Sequence, residues 1–308
     1  MSLELLIPAI TTGVLGGAAL LLPTLAVALL YQHGRYVPLW LPDLGLVGAY
    51  VMHALWTRGV PGTLSAVFTL GVVVVLAWII HRTLIARFLS VKDYLSPLLV
   101  GLGLSQMFQA VASFYGEGMS QHYPKSIWAN QFFSKTLGTS ICWVDIAFIG
   151  VTLVVLAGLY VYLHFTNWGT KVRMVIANPA DARKLALPVR TVDAIVLGVA
   201  VILVTAGTIM RGIRFDLQPS MMFYPGLGAI AACIVATPGR RVTALGVIVG
   251  IEVIASLVGT IPAYSAFQRA VPFAVLLAVL VFRAAVIPQV RAVFTKQEPP
   301  APSAVRSP

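Results

Sequence analysis

The residues best suited to chemistry are polar groups placed inside apolar runs, where they can bind a polar solute. Glu252 lies near the middle of one such run, and Ser256 and Gly259 follow at i+4 and i+7 on the same helical face. A carboxylate in hydrocarbon is costly, so Glu252 must face protein or water, either as a solute contact or as a structural residue bonded to a neighbouring helix. Gly246 and Gly250 form a small-residue stripe on a different face, which predicts close packing on another helix.

A second candidate feature is a short pattern that occurs in both halves of the chain. The run of Pro42, Leu44, Gly45, Gly48 and Ala49 returns as Pro225, Leu227, Gly228, Ala231 and Ala232. Such matching segments indicate an inverted repeat whose broken helices line a substrate path, although close helix packing would also explain the glycines. The residues predicted to line the path are Asp43, Gly45, Gly48, Tyr224, Gly228, Glu252 and Ser256.

The motifs of catalysis are absent from the sequence. It has no G-x-x-x-x-G-K-[ST] phosphate loop, so the chain is not expected to hydrolyse ATP. It has no G-x-S-x-G nucleophile motif and no metal-ligand spacing, and the five histidines occur singly. The sequence therefore predicts a protein that is not an enzyme and that holds no metal or cofactor of its own.

The elements that position these residues must be membrane-spanning helices. Hydrophobic residues make up 59% of the 308 residues and charged residues only 10%, far below the roughly one quarter of soluble domains. The net charge of +11 comes from short loops without interleaved aromatics, so nucleic acid is not an expected partner. With about 20 apolar residues per crossing, nine spans are predicted, near 6–30, 38–57, 62–80, 95–114, 142–164, 192–212, 221–236, 242–261 and 266–287.

The segment 166–191 sets the predicted direction of these spans. It carries five basic residues against one acid, Asp181, and short basic loops stay in the cytoplasm. This places the N-terminus outside and the C-terminus inside, and most of the 21 basic residues then fall in cytoplasmic loops. Asn178 as a cap and Pro179 at the first helical position predict a short helix from Pro179 to Leu187, which is either a docking element or an ordinary solvated loop.

The same segment resembles a known family. Its pattern is similar to the cytoplasmic loop of permease subunits of bacterial ABC importers of the branched-chain amino acid, amide and urea type, at residues Gly169, Arg173, Asn178, Pro179, Ala182, Arg183 and Leu185. The resemblance extends from about Thr11 to Pro288. It departs at Pro38 to Pro42, where the family generally carries Asn-Phe-Ala-His-Gly; only the acid that follows is kept, as Asp43.

The resemblance implies how the protein works. In that family the loop is a coupling helix that docks on an ATP-hydrolysing subunit, which assigns ATPase coupling to Asn178, Asp181, Arg183, Lys184 and Leu185. The implied partners are a second permease subunit, identical or related, two ATPase subunits that bind the ATP, and a periplasmic solute-binding protein. The implied location, in contact with membrane lipid, is the bacterial inner membrane.

Taken together, the sequence predicts an all-α, polytopic membrane protein of about eight to ten transmembrane helices, some of them broken. Residues 1–296 form one permease domain, and the Pro-rich tail 297–308 is expected to be a disordered cytoplasmic tail. The predicted function is import of a small polar solute by alternating access. The altered segment Pro38 to Pro42 supports an alternative, a non-transporting scaffold subunit that keeps a permease fold.

Overall fold

The structure, a computed structural model, describes residues 3–34, 36–85, 95–123, 131–134, 139–177, 182, 184–185, 187–236, 241–279 and 281. The tail 297–308 lies outside these residues. The fold is all-α. Its helices are α1 (Leu3–Ala19), α2 (Leu21–Gly34), α3 (Leu41–Thr57), α4 (Gly62–Ile80), α5 (Leu95–Tyr115), α6 (Trp143–Phe165), α7 (Asn167–Ala177), α8 (Val189–Phe215), α9 (Phe223–Val235), α10 (Arg241–Gly259) and α11 (Tyr264–Val279).

Five helices in the described part of the chain are long and apolar enough to cross a membrane by themselves. They correspond to α4, α5, α6, α8 and α10. The pair α1 and α2 passes the same test together but bends by 47° at the break between them, which allows a sixth span. A π-helical turn, His81–Ile85, continues α4.

The remaining predicted spans are present as shorter helices. Helix α3 has 17 residues and α9 has 13, which correspond to about 26 and 20 Å, less than the roughly 30 Å of the hydrocarbon core. Pro42 occupies the first turn of α3, and Pro225 is the third residue of α9. Each proline therefore lies in the first turn of its short helix, a position in which proline is tolerated.

Helix α8 is the centre of the bundle. It packs against α2, α3 and α4, and more than half of its apolar stretch is buried. The main core cluster joins these helices through fully buried side chains such as Leu25, Leu44, Val201 and Val204. Trp40, directly before α3, is also fully buried in this cluster. Helix α6, by contrast, is largely exposed and faces outward from the described bundle.

A seam of close backbone contact joins α1 to α10. A Cβ atom added to Gly13 would lie 2.5 Å from Val253 Cα, and one added to Gly17 would lie 2.8 Å from Val249 Cα. The prediction that Gly246 and Gly250 form such a seam is wrong for the described residues, because neither has an atom of another element within 4 Å. The glycines that allow the approach are on α1.

The C-terminal end of α8 is the end opposite to segment 166–191. The chain that follows it is hydrogen-bonded to the chain that follows α5. Gln121 and Leu217 form an antiparallel bridge, with a backbone hydrogen bond of 2.9 Å in each direction. The Tyr123 hydroxyl donates to the Ala49 carbonyl at 2.9 Å. A hairpin of β1 (Gln131–Ser134) and β2 (Thr139–Cys142) precedes α6. Residues 121–123 are therefore packed on α3 and on the chain directly after α8.

Candidate functional site

A polar cavity of about 280 Å³ lies between α8, α9, α10 and the 3₁₀ segment Pro262–Ala270, which overlaps the start of α11. We call it the polar cavity. Its charged and polar lining consists of Arg211, Gln218, Ser220, Tyr224, Glu252, Gln268 and Arg269. A volume near the lower end of ordinary ligand pockets, about 300–1,000 Å³, fits a small solute. The walls offer both a carboxylate and guanidinium groups.

Arg211 is a half-buried cation of this cavity. Its Nη1 is buried and makes no hydrogen bond to any described residue. The guanidinium carbon lies 5.0 Å from the centre of the Phe215 ring, and the arginine interacts electrostatically with Glu252. Arg214, one turn on, instead pairs with buried Asp145, with Nε 3.2 Å from Oδ1. Arg211 is thus the member of the pair that offers donors to the cavity.

Glu252 and Ser256 occupy different surroundings although they are one turn apart. Glu252 lines the polar cavity, and its Oε2 lies 3.4 Å from the position of a Cβ at Gly16 of α1. The Ser256 hydroxyl donates to the Ala9 carbonyl at 2.7 Å and so joins α10 to α1. Of the two, Glu252 is at the cavity wall, and Ser256 makes a structural hydrogen bond.

A smaller, mostly apolar cavity of about 120 Å³ lies on the other side of the first turn of α9. We call it the apolar cavity. Phe223, Gly226 and Phe273 are among its walls, and Asp43 is the charged residue among those that line it. The Asp43 carboxyl is nearly fully buried. The Asp43 carboxyl group needs a hydrogen-bond partner, because burial of an isolated carboxylate costs free energy.

Helix α5 supplies the partners of Asp43. The Ser105 hydroxyl donates to Asp43 Oδ2, and Gln109 Nε2 donates to the same oxygen at 3.4 Å. The other oxygen, Oδ1, is buried and accepts no hydrogen bond from the described residues. One lone carboxylate oxygen therefore remains for a solute group, a proton or a water molecule at the apolar cavity.

The two repeated segments meet in the structure. A Cβ at Gly226 of α9 would lie 2.8 Å from Pro42 Cγ of α3, so the first turns of the two short helices touch. The first turn of α9 also separates the two cavities, with Tyr224 on the polar side and Phe223 on the apolar side. The repeat thus brings the N-terminal ends of the two short helices to the candidate site.

The repeated glycines are placed in helix contacts. A Cβ at Gly45 would lie 2.7 Å from Thr208 Oγ1, and one at Gly48 would lie 2.6 Å from Thr205 Cγ2, both on α8. A Cβ at Gly228 would lie 3.2 Å from Ile248 Cδ1. These contacts are the close packing that the sequence also allowed for the glycines. Their assignment to the solute path stays a prediction.

Segment 166–191 is described in part. It begins with α7, a helix that the sequence analysis treated as loop. Asn178, Asp181 and Arg183 lie outside the described residues. Lys184 is exposed, and the Leu185 side chain is 66% exposed.

A buried cluster fixes part of this segment to the bundle. Ala182 packs with Val172 and Val175 of α7 and with Val192 of α8. Ala182 and Leu185 thus differ in exposure. Leu185 is an exposed apolar side chain beside an anchored alanine.

The fold and the two cavities define a polytopic membrane protein with a small polar site next to short helices. The chain belongs to the family described as "branched-chain amino acid transport system / permease component", which it matches over residues 43–280. It is therefore a permease component of the ABC transporter type. The predicted family and all-α membrane fold are confirmed.

A solved structure has a similar fold. It is described as PsaBC from Streptococcus pneumoniae in complex with Fab, and the similarity covers 95% of this chain and 94% of that one at a TM-score of 0.50. The sequence identity is 11%, so this likeness concerns the fold alone. No curated protein matched the chain.

Sequence reasoning missed Arg211, Ser105 and Gln109. Arg211 closes a predicted span, and an ionisable residue in an apolar helix is a signal for a functional position that could have found it. Ser105 and Gln109 occur one turn apart in the apolar run of α5, a weaker signal. Their pairing with Asp43 depends on the fold, because 62 residues separate Asp43 from Ser105.

Proposed function

We propose that the chain is the membrane-spanning subunit of an importer for a small polar solute, driven by separate ATPase subunits through alternating access. The observation that carries this proposal is the polar cavity, in which Arg211, with its buried Nη1, lines the same space as Glu252. Membership of the branched-chain amino acid permease family supports transport as the activity. The ATP is bound by the partners, since the chain has no phosphate loop.

The lining of the polar cavity favours a solute with both a negative and a positive end. Arg211 would bind a carboxylate or a carbonyl oxygen, and Glu252 would accept from an ammonium or amide N–H. An α-amino acid carries both groups, whereas an amide or urea-like solute would use the same residues as neutral hydrogen-bond partners. A branched-chain amino acid is therefore the first solute to test, with amides and urea next.

The direction of import follows from the predicted topology. The polar cavity is at the C-terminal end of α8, and segment 166–191 precedes the N-terminal end of the same helix. If that segment is cytoplasmic, the cavity lies toward the outside, where a periplasmic solute-binding protein would deliver solute. The exposed Leu185 would then be available to dock on an ATPase subunit, with a second permease subunit completing the path.

The proposal is tested by isolating the protein from its native membrane in a mild detergent with an affinity tag. We expect two ATPase subunits per complex and a second permease subunit to co-purify. ATP hydrolysis by this complex should rise when the loaded solute-binding protein is added. Leu185→Ala is expected to weaken recovery of the ATPase, and Leu153→Ala, at an exposed apolar residue of α6, is its matched control.

One result would contradict the proposal. Recovery of a complex that contains neither an ATPase nor a second permease would favour the scaffold alternative. Equal ATPase recovery from the wild type and Leu185→Ala, with a normal hydrolysis rate, would remove this residue from coupling but leave the importer assignment standing.

A further inference from the structure

A third cavity lies at the other end of α8, next to segment 166–191. It has a volume of about 380 Å³ and is lined by Trp78, His81, Arg82, Arg190, Asp193, Ala194 and Leu197. We call it the basic cavity. Its walls come from the end of α4 and the start of α8, both of which are long and apolar enough to span a membrane. The cavity therefore sits where a membrane helix pair meets the aqueous boundary.

The charges of this cavity favour an anion. Arg82 and Arg190 are exposed and line the same space, and Arg82 Cζ lies 5.3 Å from the centre of the Trp78 ring. The acid in the wall, Asp193, is already paired, because His33 Nε2 donates to its Oδ1 at 2.6 Å. The cavity thus holds two guanidinium groups against this one carboxylate, and guanidinium groups bind phosphate oxygens in a bidentate manner.

The surroundings of the two arginines are those of a lipid and not of a soluble anion. Trp78 is 47% exposed, and tryptophan prefers the headgroup level of the bilayer. One turn further into the span on the same side of α4, Val75 is 57% exposed. An acyl chain would find apolar surface on α4 below the arginines.

We propose that the basic cavity binds the phosphate of an anionic phospholipid headgroup, with Arg82 and Arg190 as its ligands. Basic pockets between membrane helices are suited to such headgroups. The bound lipid would bridge the end of α4 and the first turns of α8. Since Val192 in those turns packs on Ala182, the lipid would also steady the described part of segment 166–191.

The test is lipid retention by the purified full-length protein. Native mass spectrometry would count phosphatidylglycerol bound after delipidation and back-titration, with phosphatidylcholine of the same acyl chains as the reference lipid. Each interfacial arginine contributes about fivefold in affinity, so Arg82→Gln/Arg190→Gln should lower phosphatidylglycerol affinity about 25-fold. The matched control is Lys171→Gln/Arg173→Gln on α7, where Lys171 stacks on Trp168 at 4.9 Å but does not line the basic cavity.

Each outcome decides the proposal. The proposal is supported if Arg82→Gln/Arg190→Gln loses phosphatidylglycerol binding and Lys171→Gln/Arg173→Gln retains it. The proposal is overturned if the cavity variant binds phosphatidylglycerol as well as the wild type does. It is also overturned if both variants lose the lipid equally, because that result would show nonspecific electrostatic attraction. Inorganic phosphate that competes away the lipid at millimolar concentration would identify a soluble-anion site instead. If the double variant does not fold, the single Arg190→Gln change, at an exposed position, should still lower the affinity about fivefold.

Discussion

Replacement of Gly45 by alanine should destabilise the protein, although alanine is the better helix former. A Cβ at this position would lie 2.7 Å from Thr208 Oγ1 and 3.1 Å from the Val204 carbonyl oxygen. Thr208 cannot easily turn away, because its hydroxyl donates to the same carbonyl at 2.7 Å. The added methyl group must therefore push α3 away from α8.

The size of the effect follows from two opposing contributions. Overpacking of a close contact costs about 1–3 kcal/mol, and the gain in helix propensity from glycine to alanine is at most about 1 kcal/mol. The expected net loss in the free energy of unfolding is roughly 1–2 kcal/mol. At about 2–4 °C per kcal/mol, the midpoint of thermal unfolding should fall by roughly 2–8 °C.

The assay is thermal unfolding of the detergent-solubilised protein, followed by size-exclusion chromatography with fluorescence detection. Gly71→Ala is the matched control, because Gly71 lies inside α4 and has no atom within 4 Å of its added Cβ. That variant should be as stable as the wild type or slightly more stable. An unchanged midpoint for Gly45→Ala would refute the close contact between α3 and α8, and with it the packing role of the repeated glycine.

Three further predictions concern topology, coupling and the path. Reporter proteins fused after Leu187 and Lys296 should be cytoplasmic, and one fused after Ser126 should be external, because the basic residues favour that orientation. A cytoplasmic reporter after Ser126 would overturn the predicted order of the spans. Leu185→Asp should leave insertion intact but lower ATPase co-purification at least tenfold, because a charge enters an apolar contact. Normal recovery of the ATPase would indicate that segment 166–191 is an ordinary solvated segment without a role in coupling. Gly228→Trp should abolish uptake without preventing assembly, and failure to assemble would assign Gly228 to packing alone.

The fold was predictable from the sequence where the pattern is long and apolar. Each of the nine predicted spans has a helix in the structure, because a run of about 20 apolar residues has few other ways to satisfy its backbone in lipid. Helix α7 was missed because its polar and basic residues resemble a loop in composition. Its apolar residues Val172 and Val175 recur at a helical spacing and are buried against α8.

The candidate site was predictable only in part. Glu252 and Asp43 stand out because a carboxylate is rare in an apolar run, and both line cavities. The glycines could not be assigned from sequence, since a glycine that admits a solute and one that admits another helix look alike. Gly45 illustrates this, because its neighbours on α8 are more than 150 residues away in the chain.

The central claim, that the polar cavity carries solute, is tested most directly by ATP-driven uptake of labelled leucine into proteoliposomes that contain the purified complex. Arg211→Gln should lower uptake at least tenfold while the complex still assembles, because the buried Nη1 of Arg211 makes no hydrogen bond to a described residue and can donate to a solute carboxylate. Arg58→Gln, at an exposed arginine that follows α3, is the matched control and should transport normally. Uptake by Arg211→Gln equal to that of Arg58→Gln and the wild type would contradict the account.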